Sequence, residues 1–85
     1  MGKYEKLLVE LLRGRSDANI DFDKLCQLLR RLGFEERVRG SHHIFRRSGV
    51  AERINLQQDG SKAKAYQTRQ VRAVIVRYRL GEDDA

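Results

Sequence analysis

The hydrophobic period of this chain changes once, at Gly33-Phe34, and that switch limits the fold more than any other feature. Upstream, apolar side chains recur at helical spacing. Tyr4, Leu7, Leu8, Leu11 and Leu12 fall at i, i+3, i+4, i+7 and i+8, which predicts an amphipathic helix over residues 4–13 with Gly14 at its C′ position. Residues 15–20 form a polar connector with the turn formers Ser16, Asp17 and Asn19. Asp21 is placed to cap a second helix, and Asp23 in its first turn complements the helix dipole. Phe22, Leu25, Leu28, Leu29 and Leu32 share one face of that helix. Gly33 stops it, and Phe34 supplies the apolar contact of a Schellman-type end. Cys26, beside the stripe, reads as a small buried side chain.

Downstream the period is two. Phe34, Glu36 and Val38 alternate with Glu35, Arg37 and Arg39, as in a half-buried strand. Gly40-Ser41 is a two-residue hairpin turn with glycine first, suited to type II′. The return strand runs over about residues 41–47, Ser48-Gly49 opens another turn, and Arg53-Ile54-Asn55-Leu56 alternates as a third strand. Residues 57–64 read as a polar connector around Asp59-Gly60-Ser61. The last element has two readings. Val71, Val74, Ile75 and Tyr78 fit a helical stripe, whereas Val-Ile-Val followed by Arg-Tyr-Arg-Leu suits a strand. Thr68 as an N-cap favours the helix, with Arg69, Arg72 and Arg79 off the stripe facing solvent or a ligand. The order α-α-β-β-β-α is an α+β fold: a three-stranded antiparallel meander with helices over one face.

Charge is distributed as unevenly as the periods. The chain of 85 residues carries 18 Lys+Arg against 12 Asp+Glu, a net +6. Residues 1–29 are neutral overall, residues 30–79 carry +9, and Glu82-Asp83-Asp84 returns −3. Thirteen of the cations are arginines, whose planar fork suits phosphate. Such a basic stretch in a small domain is the footprint of a polyanion binder, and a strongly acidic protein would also fit. No apolar run exceeds four residues, so neither a membrane span nor the apolar heart of a secretory signal is expected. A single cysteine excludes an intramolecular disulfide and a multi-cysteine zinc site. A cytoplasmic protein without cofactor or metal is the expectation.

Few residues can carry chemistry. Glycine-rich phosphate loops, HExxH and Ser–His–Asp sets do not occur. The neighbouring carboxylates Glu35-Glu36 and Asp83-Asp84 face apart in extended chain and read as solvated charges. His42 and His43 are the two histidines, and in a strand they must point to opposite faces. If Phe45 is the core residue, His42 lies on the open face with Ile44 and Arg46. If Ile44 is, the assignment reverses. An imidazole among arginines, in a domain that attracts phosphate, is a candidate proton-transfer group.

Leu28-Leu29-Arg30-Arg31-Leu32-Gly33-Phe34 followed by Arg39-Gly40-Ser41-His42-His43-Ile44-Phe45 resembles the HicA family of toxin–antitoxin ribonucleases. The likeness continues through Ile54-Asn55-Leu56-Gln57, residues 60–67 and Gln70-Val71-Arg72, covering about residues 22–80. It implies a double-stranded-RNA-binding-like α-β-β-β-α fold and supports the helical reading of the last element. One domain over residues 1–85 follows, with an extra N-terminal helix over about 3–13, a core over about 21–80 and an acidic tail over 81–85. The chain carries Gln57-Gln58 where many members place Pro-His, and Ala65 where relatives often have proline.

The resemblance further implies that His42, following Gly-Ser, is the catalytic histidine of a metal-independent endoribonuclease acting on mRNA, neutralised by a HicB-type antitoxin. His42 would serve as base toward a 2′-hydroxyl or as acid toward the departing 5′-oxygen. Arg37, Arg39, Arg46, Lys62 and Lys64 are the candidate cations around the phosphate, and the Gly40-Ser41 turn lets backbone approach it. The alternative is a non-catalytic RNA-binding module of the same fold, or a basic face that docks an acidic protein.

Overall fold

The computed structural model describes residues 2–82, so Asp83-Asp84 and the end of the acidic tail lie outside the described residues. Within them, three helices, α1 (Lys3–Arg13), α2 (Phe22–Arg31) and α3 (Ala65–Arg77), accompany four strands, β1 (Glu35–Arg39), β2 (His42–Arg46), β3 (Ile54–Asp59) and β4 (Lys62–Ala63). The strands form one antiparallel sheet in the order β1-β2-β3-β4. The α+β class and the meander thus agree with the sequence reading. The polar connector does not: β3 runs on to Asp59, turns at Gly60-Ser61 and returns as β4. A two-residue strand of Lys and Ala carries no period of its own.

Local signals at the helix ends behave as their chemistry requires. Asp21 caps α2, its side chain accepting from the Lys24 amide at 3.0 Å. At the other end Phe34 N–H donates to the Leu29 carbonyl and Gly33 N–H to that of Arg30, both at 3.0 Å, with Gly33 at φ 93°. That pair of bonds is a Schellman stop, and buried Phe34 is its apolar contact. The last element is a helix, but it starts at Ala65 with Lys64 in the capping position. Thr68 is therefore no cap; it is buried, with its hydroxyl donating back to the Lys64 carbonyl. Val74 and Ile75 are buried while Val76 is 61% exposed, the outcome expected of a helical period across an apolar run.

The core lies between the helices and one face of the sheet. Phe45, Ile54 and Leu56 from the strands meet Leu25 and Leu29 from α2 and Val71 and Ile75 from α3. Leu7 and Leu11 bring α1 into the same cluster, whereas Leu12, on the edge of its stripe, stays exposed. Arg72 is not free for a ligand. Its guanidinium donates to both carboxylate oxygens of Asp17, at 2.7 and 3.2 Å, and to the Leu11 carbonyl at 3.3 Å. This clamp ties α3 to α1 and to the turn Asp17–Asn19. The Arg72 hydrogen bond holds the Asp17 carboxyl below its ordinary range, against burial and with help from the charges of Arg72 and Arg69.

Candidate active site

Because β2 begins directly after the Gly40-Ser41 turn, the parity of its side chains is set by which of Ile44 and Phe45 enters the core. Phe45 is fully buried and Ile44 only partly. His42 therefore occupies the open face of the sheet and His43 the helix-facing side. The turn itself has Gly40 at φ 58° and a following serine at negative φ, the signature of type II′.

On the open face His42 stands between Arg39 of β1 and Gln57 of β3 in the ladder. Its Nδ1 lies 3.2 Å from Oδ1 of Asn55. An amide oxygen only accepts, so Nδ1 carries the proton and Nε2 is the free nitrogen. The Gln57 side chain spans the neighbouring space: its Nε2 donates to Ser41 Oγ at 3.1 Å and its Oε1 accepts from Lys64 Nζ at 3.4 Å. Buried Gln67 fixes the same residue from behind, accepting from the Gln57 amide at 2.9 Å. The structure thus groups His42, Ser41, Arg39 and Lys64. Lys62 stands apart, across from Asp59 at the β4 edge.

Asn55 escaped the sequence reading. A residue of low strand propensity between Ile54 and Leu56, pointing away from the core, was the available signal. Arg53 was missed as well; it shares a cavity wall with Arg37, Arg39 and Arg46. Among the described residues these four arginines make no ion pair, whereas Arg30, Arg69, Arg72 and Arg77 each face a carboxylate. Four arginines without an ion pair thus share the face that carries His42.

The opposite face holds a separate polar cluster. His43 Nδ1 is 2.7 Å from Glu36 Oε2, Arg30 Nε donates to Glu36 Oε1 at 2.7 Å, and the His43 ring meets the Phe22 ring edge-on at 4.9 Å. Glu36 is thus no solvated charge. Burial pushes its carboxyl up, but the His43 and Arg30 hydrogen bonds and their charges outweigh burial and hold it below its ordinary value. Cys26 lies close enough that its sulfur, a Glu36 oxygen and a His43 nitrogen fall within 4.8 Å of one another. Among the described residues this is the grouping whose ligand atoms could converge on a metal ion. Both Glu36 oxygens are already engaged, and burial pushes the Cys26 thiol up to about 12, with Glu36 adding to the rise.

The chain matches the family model described as HicA toxin of bacterial toxin–antitoxin over residues 22–73. It belongs to the HicA toxin family. Comparisons with curated proteins and with solved structures give no match. The HicA match takes in α2, all four strands and most of α3, so it covers His42 and its surroundings; α1 lies outside it. As a HicA toxin the chain has its biological setting in a toxin–antitoxin pair. No helix among the described residues is long and apolar enough to cross a membrane.

Proposed function

We propose that this HicA-family chain is a metal-independent endoribonuclease that cleaves mRNA, with His42 as its proton-transfer group. The observation that carries the reading is His42 on the open face, oriented by Asn55 and standing across from the unpaired Arg39 in the ladder. Nε2 takes the proton of a ribose 2′-hydroxyl. The 2′-oxygen then attacks the adjacent phosphorus, the bond to the 5′-oxygen breaks, and that oxygen leaves with a proton from water. Proton transfer of this kind contributes roughly 10²–10⁴-fold. Arg39 and Lys64 neutralise the charge that builds on the phosphorane, and the open Gly40 backbone allows close approach. Metal assistance is not needed in this scheme, and the surroundings of His42 supply an amide and cations rather than a carboxylate set.

A HicB-type antitoxin would neutralise the chain by covering this basic face, for which an acidic surface is the complement. One observation favours the second reading, a non-catalytic RNA-binding module: His43 faces the helices, so a single imidazole serves the open face. Product ends test the scheme. Attack by the 2′-oxygen gives a 2′,3′-cyclic phosphate and a 5′-hydroxyl, and a 2′-deoxy nucleotide at the cut blocks it. A 3′-hydroxyl with a 5′-phosphate would contradict it.

A further inference from the structure

Arg37, Arg39, Arg46 and Arg53 surround a cavity of about 380 Å³ floored by Ile44. Arg46 and Arg53 also border a wider depression of about 840 Å³ along the β2–β3 loop. Guanidinium groups brought together repel one another, and on sheets such juxtapositions are destabilising unless an anion joins them. Two carboxylates border the cavity, and neither forms an ion pair with these four arginines. Glu36 is engaged by Arg30 and His43, and Glu35 stands across from Arg46 in the ladder without forming an ion pair. The fork of arginine suits a phosphate, and partly buried Ile44 gives an apolar floor on which a sugar or base can rest.

Arg39, across from His42 in the ladder, forms the near end of the cleft and belongs to the His42 site; Arg46 and Arg53 form the far end, which is the part that reaches beyond it. Arg46 is four residues from His42 along β2, about 14 Å at the strand rise of about 3.4 Å. A stacked strand rises about 3.4 Å per nucleotide, so this gap corresponds to about four stacked nucleotides, or fewer when the strand is extended. We infer that the cleft binds a backbone phosphate about two to four nucleotides away from the bond at His42, so that the chain selects oligonucleotides long enough to reach both. The inference rests on the ribonuclease reading for the identity of the bond, but the phosphate site has a test of its own.

That test uses His42→Ala, which keeps RNA uncut, with and without the pair Arg46→Gln and Arg53→Gln. Circular dichroism melts establish that each variant is folded. Affinity is measured across a salt series for an RNA of about twelve nucleotides and for a trinucleotide. The longer RNA is expected to bind roughly tenfold or more tightly. The double substitution is expected to remove most of that advantage and to lower the salt slope by about 0.7, for the one single-strand phosphate that is no longer neutralised. Equal affinity for both lengths, or an unchanged slope in the double variant, would overturn the inference. So would loss of affinity for an acidic peptide without loss for RNA. In the wild-type protein, single methylphosphonate linkages walked away from the cut should impair cleavage most at about two to four nucleotides. A wild type that cleaves with no such position leaves the ribonuclease reading intact and removes the cleft. One that binds as described but cuts nothing keeps the phosphate site and removes the ribonuclease reading.

Discussion

His42 Nδ1 and Asn55 Oδ1 face each other at 3.2 Å across β2 and β3, diagonal neighbours joined on the open face of the sheet. The amide holds the ring in one tautomer and leaves Nε2 free, much as an acceptor behind a catalytic histidine does in general. Replacing Asn55 by Ala should therefore lower the cleavage rate by roughly 10–100-fold with a much smaller loss of RNA affinity. Single-turnover rates and direct binding measured side by side separate the two. An equal loss in both would make Asn55 a binding group instead.

Gly40 aims His42 through the hairpin turn. At φ 58° a side chain is strained, although a Cβ there would meet nothing within 4 Å. The cost of Gly40→Ala is thus conformational, about 1–2 kcal/mol. Urea unfolding should show that loss together with reduced cleavage. Full stability in the variant would mean that the turn tolerates an ordinary residue.

The clamp between Asp17 and Arg72 gives the fold a defined response to acid. The folded-state pKa of Asp17 lies below its unfolded value, so the pair stabilises the protein at neutral pH. That contribution fades as pH falls below about 4 toward the folded-state value. Asp17→Asn should cost about 1–3 kcal/mol at pH 7, and the gap from wild type should narrow on acidification. A gap independent of pH would show that the loss comes from packing alone.

Cys26 is 2% exposed and its thiol is pushed up to about 12, chiefly by burial. A thiol reagent that requires thiolate should leave it unmodified in the native protein and react with one equivalent after denaturation. Stoichiometric reaction without denaturant would contradict this burial.

The elements with strong local signals were legible in the sequence. The switch at Gly33, the Asp21 cap and the Gly40-Ser41 turn each depend on residues within a few positions of one another, and each holds. The parity of β2 was open because Ile44 and Phe45 are both apolar; only the packing of Phe45 beneath the helices decides it. β4 is too short to show a period. Arg72 and Asp17 are separated by 55 positions, and Glu36 meets Arg30 and His43 only after α2 has folded over β1 and β2. The candidate site was half visible for the same reason. His42 and its arginines announce themselves by type, whereas Asn55 acquires meaning only from the register that sets it diagonally across from His42.

Incubating wild type and His42→Ala with a labelled mRNA in excess EDTA tests the central claim most directly. Fragmentation by wild type and none by His42→Ala, with RNA affinity retained in both, is the predicted result. Equal fragmentation by the two proteins, or none by either, would contradict it.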